Sequence, residues 1–162
     1  MDLYKHSPLE HPISIRLLTL LPGEYGTAVS CRITEYDRAS ILPYEALSCV
    51  WEDPESPQHI LISESLTQAA KRFFVTRNIY DALQRLREVS TPRILWIDAV
   101  CIGQENTEEK GHQVAHMGKI YRQATCVIVW LGEDYGLSAT KALLRGGRPI
   151  EVYIVLTLDR LP

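Results

Sequence analysis

Ile94-Leu95-Trp96-Ile97-Asp98-Ala99-Val100-Cys101-Ile102 is the run on which the fold turns. Apart from Asp98 it is apolar, too short for a globular helix and rich in strand formers. A run apolar on both faces is what a central strand of a parallel sheet looks like. Upstream, Ile79, Leu83 and Leu86 recur at i, i+4 and i+7, one stripe of an amphipathic helix capped by Thr76 or Asn78 and stopped by Ser90-Thr91-Pro92. Downstream, Asn106 is a fair N-cap with Glu109 placed to close a capping box, and Val114, Met117, Tyr121 and Ala124 mark a buried stripe. Cys126-Val127-Ile128-Val129-Trp130-Leu131 is a further apolar strand, ended by Gly132. Strands alternating with helices imply a parallel sheet with right-handed crossovers.

The N-terminal part has a different period. Ile13, Ile15 and Leu17 alternate with Ser14, Arg16 and Leu18; after the turn-prone Pro22-Gly23-Glu24-Tyr25-Gly26, Val29, Cys31 and Ile33 alternate again. This predicts a β-hairpin. A polar linker, 34–40, leads to a short strand over 44–51, stopped by Glu52-Asp53-Pro54; residues 59–63 read as another strand. Past Leu131 the pattern loosens: a helix starting at 138–144 is broken by Gly146-Gly147-Arg148-Pro149, and 150–158 reads as one more strand. The expected division is a polar N-terminal segment at 1–12, a domain at 13–145 and an atypical or truncated stretch at 146–162.

Lys and Arg number 17 and Asp and Glu 20, so the net charge is −3 and no global basic field holds a phosphate backbone. Nucleic acid is therefore not an expected partner. At 46% hydrophobic and 23% charged the composition is that of a folded globular chain, which excludes disorder from end to end. The longest apolar runs, 94–102 and 126–131, are about half of what a membrane-spanning helix needs, so no span is expected. The first ten residues carry Asp2, Lys5 and Glu10, unlike a secretory leader. Cys31, Cys49, Cys101 and Cys126 form no CxxC pair, which fits buried thiols in a reducing cytoplasm.

Several blocks, in order, resemble the fungal heterokaryon-incompatibility (HET) domain. Ile15-Arg16-Leu17-Leu18-Thr19-Leu20-Leu21-Pro22-Gly23 is similar to its opening, and Tyr44-Glu45-Ala46-Leu47-Ser48-Cys49-Val50-Trp51-Glu52-Asp53-Pro54 to its Y-x-A-L-S-Y-x-W-G-D block. Leu95-Trp96-Ile97-Asp98-Ala99-Val100-Cys101-Ile102-Gly103-Gln104 resembles L-W-I-D-x-x-C-I-N-Q. Glu109, Gln113-Val114, Met117, Ile120-Tyr121, Ala124 and Val127-Ile128-Val129-Trp130-Leu131-Gly132 follow the run that ends in W-L-G. The match is best over 13–133. Cys49, Glu52, Gly103 and Lys110 stand where the family has Tyr, Gly, Asn and Arg.

The resemblance implies a cytoplasmic self/non-self recognition module that triggers programmed cell death by assembly with itself or with other death-signalling domains. It implies an α/β fold, a TIR/flavodoxin-like, mostly parallel central sheet flanked by helices, here with an N-terminal β-hairpin. Some TIR domains cleave NAD with a catalytic Glu, so NAD as substrate of a hydrolase is the alternative. A degenerate, inactive copy, suggested by Cys49, Glu52, Gly103 and the atypical C-terminal stretch, is the third reading. No cofactor is implied. The TIR Glu finds no counterpart: Glu133 and Asp134 are the only carboxylates at that topological place.

Without that motif the candidate catalytic residues are Asp98 and Glu109. Asp98 lies in the most apolar run, where an unpaired carboxylate is costly and perturbed. It reads equally as the floor of a ligand crevice at a strand end and as a structural anchor. Glu109 in a first helical turn complements the helix dipole without any chemistry. Trp51, Asp98, Gln104, Gln113 and Tyr121 are the candidate crevice residues. His112 and His116 share a helix face at metal-ligand spacing, yet lack a third ligand and read as a solvated face. Cys101, with a histidine base, would make a nucleophile, but its alternation places it in the core, where a thiol is inert.

Overall fold

Leu18 falls in the same alternation set as Ser14 and Arg16, and all three are buried along with Ile15 and Leu17: the first strand is buried on both faces. In the computed structural model, which describes residues 2–49, 56–65 and 67–132 and the backbone of 151–155, this is β1 (Ile15–Leu20). It pairs with β2 (Ser30–Tyr36) as the predicted hairpin, with Ile15 opposite Tyr36 and Leu20 opposite Cys31. Then follow β3 (Glu45–Cys49), β4 (Gln58–Ser63), β5 (Lys71–Val75) and α1 (Arg77–Leu86). The chain continues with β6 (Arg93–Trp96), α2 (Asp98–Cys101), α3 (Thr107–Gln123), β7 (Cys126–Trp130) and β8 (Glu151–Val155).

One eight-stranded sheet, in the order β5-β4-β2-β1-β6-β3-β7-β8, joins them. β6, β3, β7 and β8 run parallel, as the apolar runs predicted. β1 is antiparallel to both β2 and β6, β4 is antiparallel to β5, and β2 with β4 is parallel. The sheet is therefore mixed, which corrects the expectation of a mostly parallel one. The hairpin docks by its edge onto β6 instead of standing apart, so β1 needs apolar residues on both sides.

The helices lie on opposite faces. Trp96 is the register partner of Ala46 and Trp130 that of Cys49, three residues further along β3, so the two indoles point to opposite sides. The Trp96 ring meets Tyr121 of α3 edge to face at 5.3 Å, while the Trp130 indole N–H donates to Asn78 Oδ1 of α1 at 2.6 Å. Both tryptophans are fully buried, each removing roughly 4–6 kcal/mol worth of apolar surface from water before entropy is counted.

The caps follow the sequence in part. Thr76 Oγ1 accepts from the Ile79 N–H, and Asn106 Oδ1 from the Glu109 N–H. The capping box stays half-made, because the Glu109 carboxylate turns away from Asn106. Val114 was expected in the core stripe of α3 but is 51% exposed; Glu109, Gln113 and Ile120 take the buried face instead. The polar N-terminal segment packs: the Tyr4 N–H donates to the Arg72 carbonyl and the Arg72 N–H to the Asp2 carbonyl, so residues 2–4 extend the sheet beyond β5. The expected strand at 150–158 is present as β8. The helix expected at 138–144 and its Gly-Gly break lie outside the described residues.

Candidate functional site

The run 94–102 does not stay a strand. β6 ends at Trp96, and the Ile97 carbonyl accepts the N–H groups of Val100 and Cys101, so the chain coils into α2. Asp98 is the first residue of that turn, its Oδ1 accepting the Ala99 N–H at 2.7 Å. The carboxylate thus stands just past the carboxyl end of β6 and not within it. It is half-buried; burial pushes its pKa up, and the Ala99 amide offsets only part of the rise.

Tyr121 and Cys49 sit in the field of Asp98. Burial pushes the Tyr121 phenol up to about 12, Asp98 adding to the rise and the Ser48 hydroxyl opposing it. Burial pushes the Cys49 thiol up to about 12, again with a contribution from Asp98. The Gln104 amide donates to the Asp98 carbonyl at 3.1 Å and ties the loop after α2 to the same corner. The buried Trp96 indole N–H has no hydrogen-bond partner among the described residues. Asp98, Gln104 and Tyr121 are therefore brought together, with Ser48 and Cys49, at the ends of β3 and β6. Trp51 lies outside the described residues, as do Glu52, Glu133 and Asp134.

Glu109 and Gln113 belong to a second arrangement. Arg16 of β1 donates Nη1 to Glu109 Oε1 at 2.5 Å and Nη2 to Oε2 at 3.0 Å, a bidentate pair with both side chains under 7% exposed. The same guanidinium reaches the Cys101 carbonyl at 3.2 Å and the Ser7 carbonyl at 2.5 Å, and the Gly103 N–H donates to Glu109 Oε1 at 2.7 Å. Burial opposes ionisation of Glu109, but Arg16 and the Gly103 amide outweigh it and hold the carboxyl below its ordinary value. A Cβ on Gly103 would stand 3.0 Å from the Glu109 carboxylate, so the glycine in place of the family's Asn leaves the room that this pair uses. Gln113 donates to the Ser14 carbonyl at 2.8 Å. These residues bolt α3 and the N-terminal segment onto β1. Both Glu109 oxygens are taken by hydrogen bonds within the fold.

Cys101 is buried, its thiol pushed up to about 12, and its sulfur accepts the Ile97 N–H at 3.4 Å. It is packing, not a nucleophile. His116 Nδ1 lies 2.8 Å from the carbonyl of His112, and among the described residues no group of three His, Cys, Asp or Glu could hold a metal ion.

A cavity of about 370 Å³ opens between the N-terminal segment, β5 and the loop joining α2 to α3. Tyr4, His6, Phe73 and Phe74 form its aromatic wall, and Gly103, Gln104 and Asn106 its polar one. Its size and mixed lining suit a small organic ligand. His6 packs edge-on against Tyr4 and Phe73 at 5.2 and 5.7 Å, and neither ring nitrogen meets a partner at good hydrogen-bond geometry. Burial, with Arg16 beside it, lowers its pKa from 6.5 to about 4. A histidine held neutral in the fold but free to protonate when unfolded gives stability that is complete above pH 6.5 and lost as pH falls from 6.5 towards 4. A His6→Phe variant is expected to lose that slope of stability across pH 6.5 to 4, as read by urea denaturation at fixed pH steps.

Arg16, His6, Tyr4 and Ser48 are absent from the sequence candidates. Arg16 had a signal, a charge in an alternation set shared with Leu18. His6 and Tyr4 had none, because a polar segment gives no sign of where it docks.

A mixed sheet with helices on both faces makes this an α/β domain, with Asp98 just past the end of β6. Residues 44–149 match the family described as Heterokaryon incompatibility protein (HET), and the chain belongs to that family. It is 36% identical over 128 residues to Heterokaryon incompatibility protein 6, OR allele, of Neurospora crassa. The aligned part is 73% of this chain and 18% of that protein, so the chain spans only a small part of the relative's length. No solved structure matches. Among the described residues no helix is long and apolar enough to cross a membrane.

Proposed function

We propose that this chain is the recognition and trigger module of a heterokaryon-incompatibility protein, acting in the cytoplasm, and that it sets off programmed cell death by assembling with itself or with other death-signalling domains. The module is taken as 13–145, with the preceding segment packed onto it. The family match over 44–149 is the observation that carries this reading, supported by the incompatibility protein to which the chain is similar. Induced expression of the chain in a fungal host tests it. Growth arrest that scales with expression is the expected result. Normal growth at a protein level shown by blot, with the purified chain folded, would overturn it.

A second reading is a TIR-like NAD-cleaving hydrolase. The order β6-β3-β7-β8 among parallel strands corresponds to the 2-1-3-4 order of flavodoxin-like sheets, and Asp98 stands just past a strand end in that block. The bond broken would be the one between the nicotinamide nitrogen and the ribose carbon, with water adding at that carbon. An ionised Asp98 would stabilise the positive charge that develops on the ribose. Nicotinamide release that disappears in Asp98→Asn, with an unchanged circular dichroism spectrum, is the expected result. No release from the folded chain would sink it, leaving the assembly module or a copy without chemistry.

A further inference from the structure

α3 covers the sheet with one side only. Glu109, Gln113 and Ile120 are buried, and at 3.6 residues per turn the diametrically opposite side carries Glu108, Gly111, Ala115, Gly118 and Arg122, with Val114 beside them. All six are exposed. A Cβ added to Gly111 or Gly118 meets nothing within 4 Å, so no contact among the described residues calls for glycine at either place. Glycine inside a helix weakens it, and here the weakening has no internal return.

Charges stand at both ends of that stripe, with the exposed Lys119 on its flank. Glu108 lies seven residues before Ala115 (115 − 108 = 7) and Arg122 seven after it (122 − 115 = 7). Seven residues are two turns, so both charges stand on the stripe at equal distances from its middle. Arg122 leans along the stripe, its Nε donating to the Gly118 carbonyl at 3.0 Å.

We infer that this face of α3 docks against the same face of a second copy of the chain, the two helices antiparallel and crossing at Ala115, with Glu108 of each copy against Arg122 of the other. The inference rests on the assembly reading above and names its surface. Antiparallel docking sets the positive end of each helix dipole beside the negative end of the other and pairs unlike charges; a parallel pair would set like against like. The glycines and Ala115 let the two backbones approach closely, and Val114 gives the crossing an apolar rim. The contact is the same patch on both copies, so it closes as a two-fold dimer. One helix per copy is a small interface, so the dimer forms and dissociates with concentration.

Sedimentation velocity over a concentration series tests this with the wild-type chain, Glu108→Arg, Arg122→Glu and the double exchange. The expected result is a dimer weakened about tenfold or more in either single variant and restored in the double one. Gly111→Leu is expected to stay monomeric while melting no lower than wild type, because its side chain has open space in the monomer. That pairing of outcomes separates a lost interface from a damaged fold. A dimer indifferent to the exchanges, or lost in the single variants without being restored in the double, overturns this surface but leaves assembly standing. A chain monomeric at every concentration overturns the surface and self-assembly together.

Discussion

Replacing Arg16 with Met is expected to destabilise the fold by about 3–5 kcal/mol, the cost of leaving a buried charge without its partner. Glu109 would keep the Gly103 N–H and lose the bidentate guanidinium; the Cys101 and Ser7 carbonyls would lose their donor as well. A domain of this kind is stable by about 5–15 kcal/mol in total, so the variant is expected to be marginal. Its pH dependence supplies the sharper test. In the wild type the Glu109 carboxyl titrates below its ordinary 4.5, so its contribution is present above pH 4.5 and lost as pH falls from there through the folded value. In Arg16→Met burial is opposed chiefly by the Gly103 amide, the folded value rises, and protonation relieves the strain: stability is expected to increase as pH falls from neutral. Adding Glu109→Gln removes the stranded charge and is expected to recover part of the loss at pH 7. Urea denaturation at pH 7 and 5 of the wild type and both variants checks this. A loss under about 1 kcal/mol in Arg16→Met would show that the pair contributes no more than a surface ion pair does. The consequence reaches function, because the guanidinium joins β1 to the loop after α2 and to Ser7, and those segments frame the cavity and flank Asp98.

Much of this fold was legible because its strands and helices obey local rules. The i, i+4, i+7 spacing that begins at Ile79 predicts α1, and Thr76 caps it; Cys126 to Trp130 are apolar on both faces because β7 lies between β3 and β8. The misses lie where long-range contacts decide. β5, Lys-Arg-Phe-Phe-Val, has no period-2 signal, since Phe74 is half exposed while its strand is fixed by pairing with β4 and with residues 2–4. β6 stops three residues into an apolar run, where Asp98 starts a helical turn, and hydrophobicity alone carries no trace of that choice. Of the site, Asp98, Gln104 and Tyr121 were found as individually odd residues, and their meeting follows from the sheet order. Glu109 was found as well, yet its partner lies 93 residues away in sequence, beyond any periodicity.

Arg87→Met is the second large effect, expected at about 2–4 kcal/mol, and it works through a cation held by neutral oxygens. Arg87 follows α1, is buried, and gives Nη1 to the Ala28 carbonyl at 2.8 Å. Nη2 reaches the Thr27 carbonyl at 3.0 Å, Thr27 Oγ1 at 2.9 Å, Gln84 Oε1 at 3.1 Å and the Glu24 carbonyl. The guanidinium is therefore the template on which the turn between β1 and β2 is wound. Hydrogen bonds to a charged group contribute about 1.5–3 kcal/mol each when removed singly, but the turn is exposed and water would reclaim several of these carbonyls, which holds the total to the lower range. Lys in this place keeps the charge without the planar fork and is expected to recover less than half of the loss. Gly23 is the same contact viewed from the other side: a Cβ there would stand 3.0 Å from Arg87 Nη1 and 3.1 Å from Cζ. Gly23→Ala is thus expected to cost about 1–2 kcal/mol by displacing the guanidinium. Because both changes break one arrangement, the double variant is expected to lose less than the sum of the two singles. Denaturation midpoints of the four chains decide it. Strict additivity would mean that Gly23 acts through its own backbone, and that the turn does not depend on Arg87 for its shape.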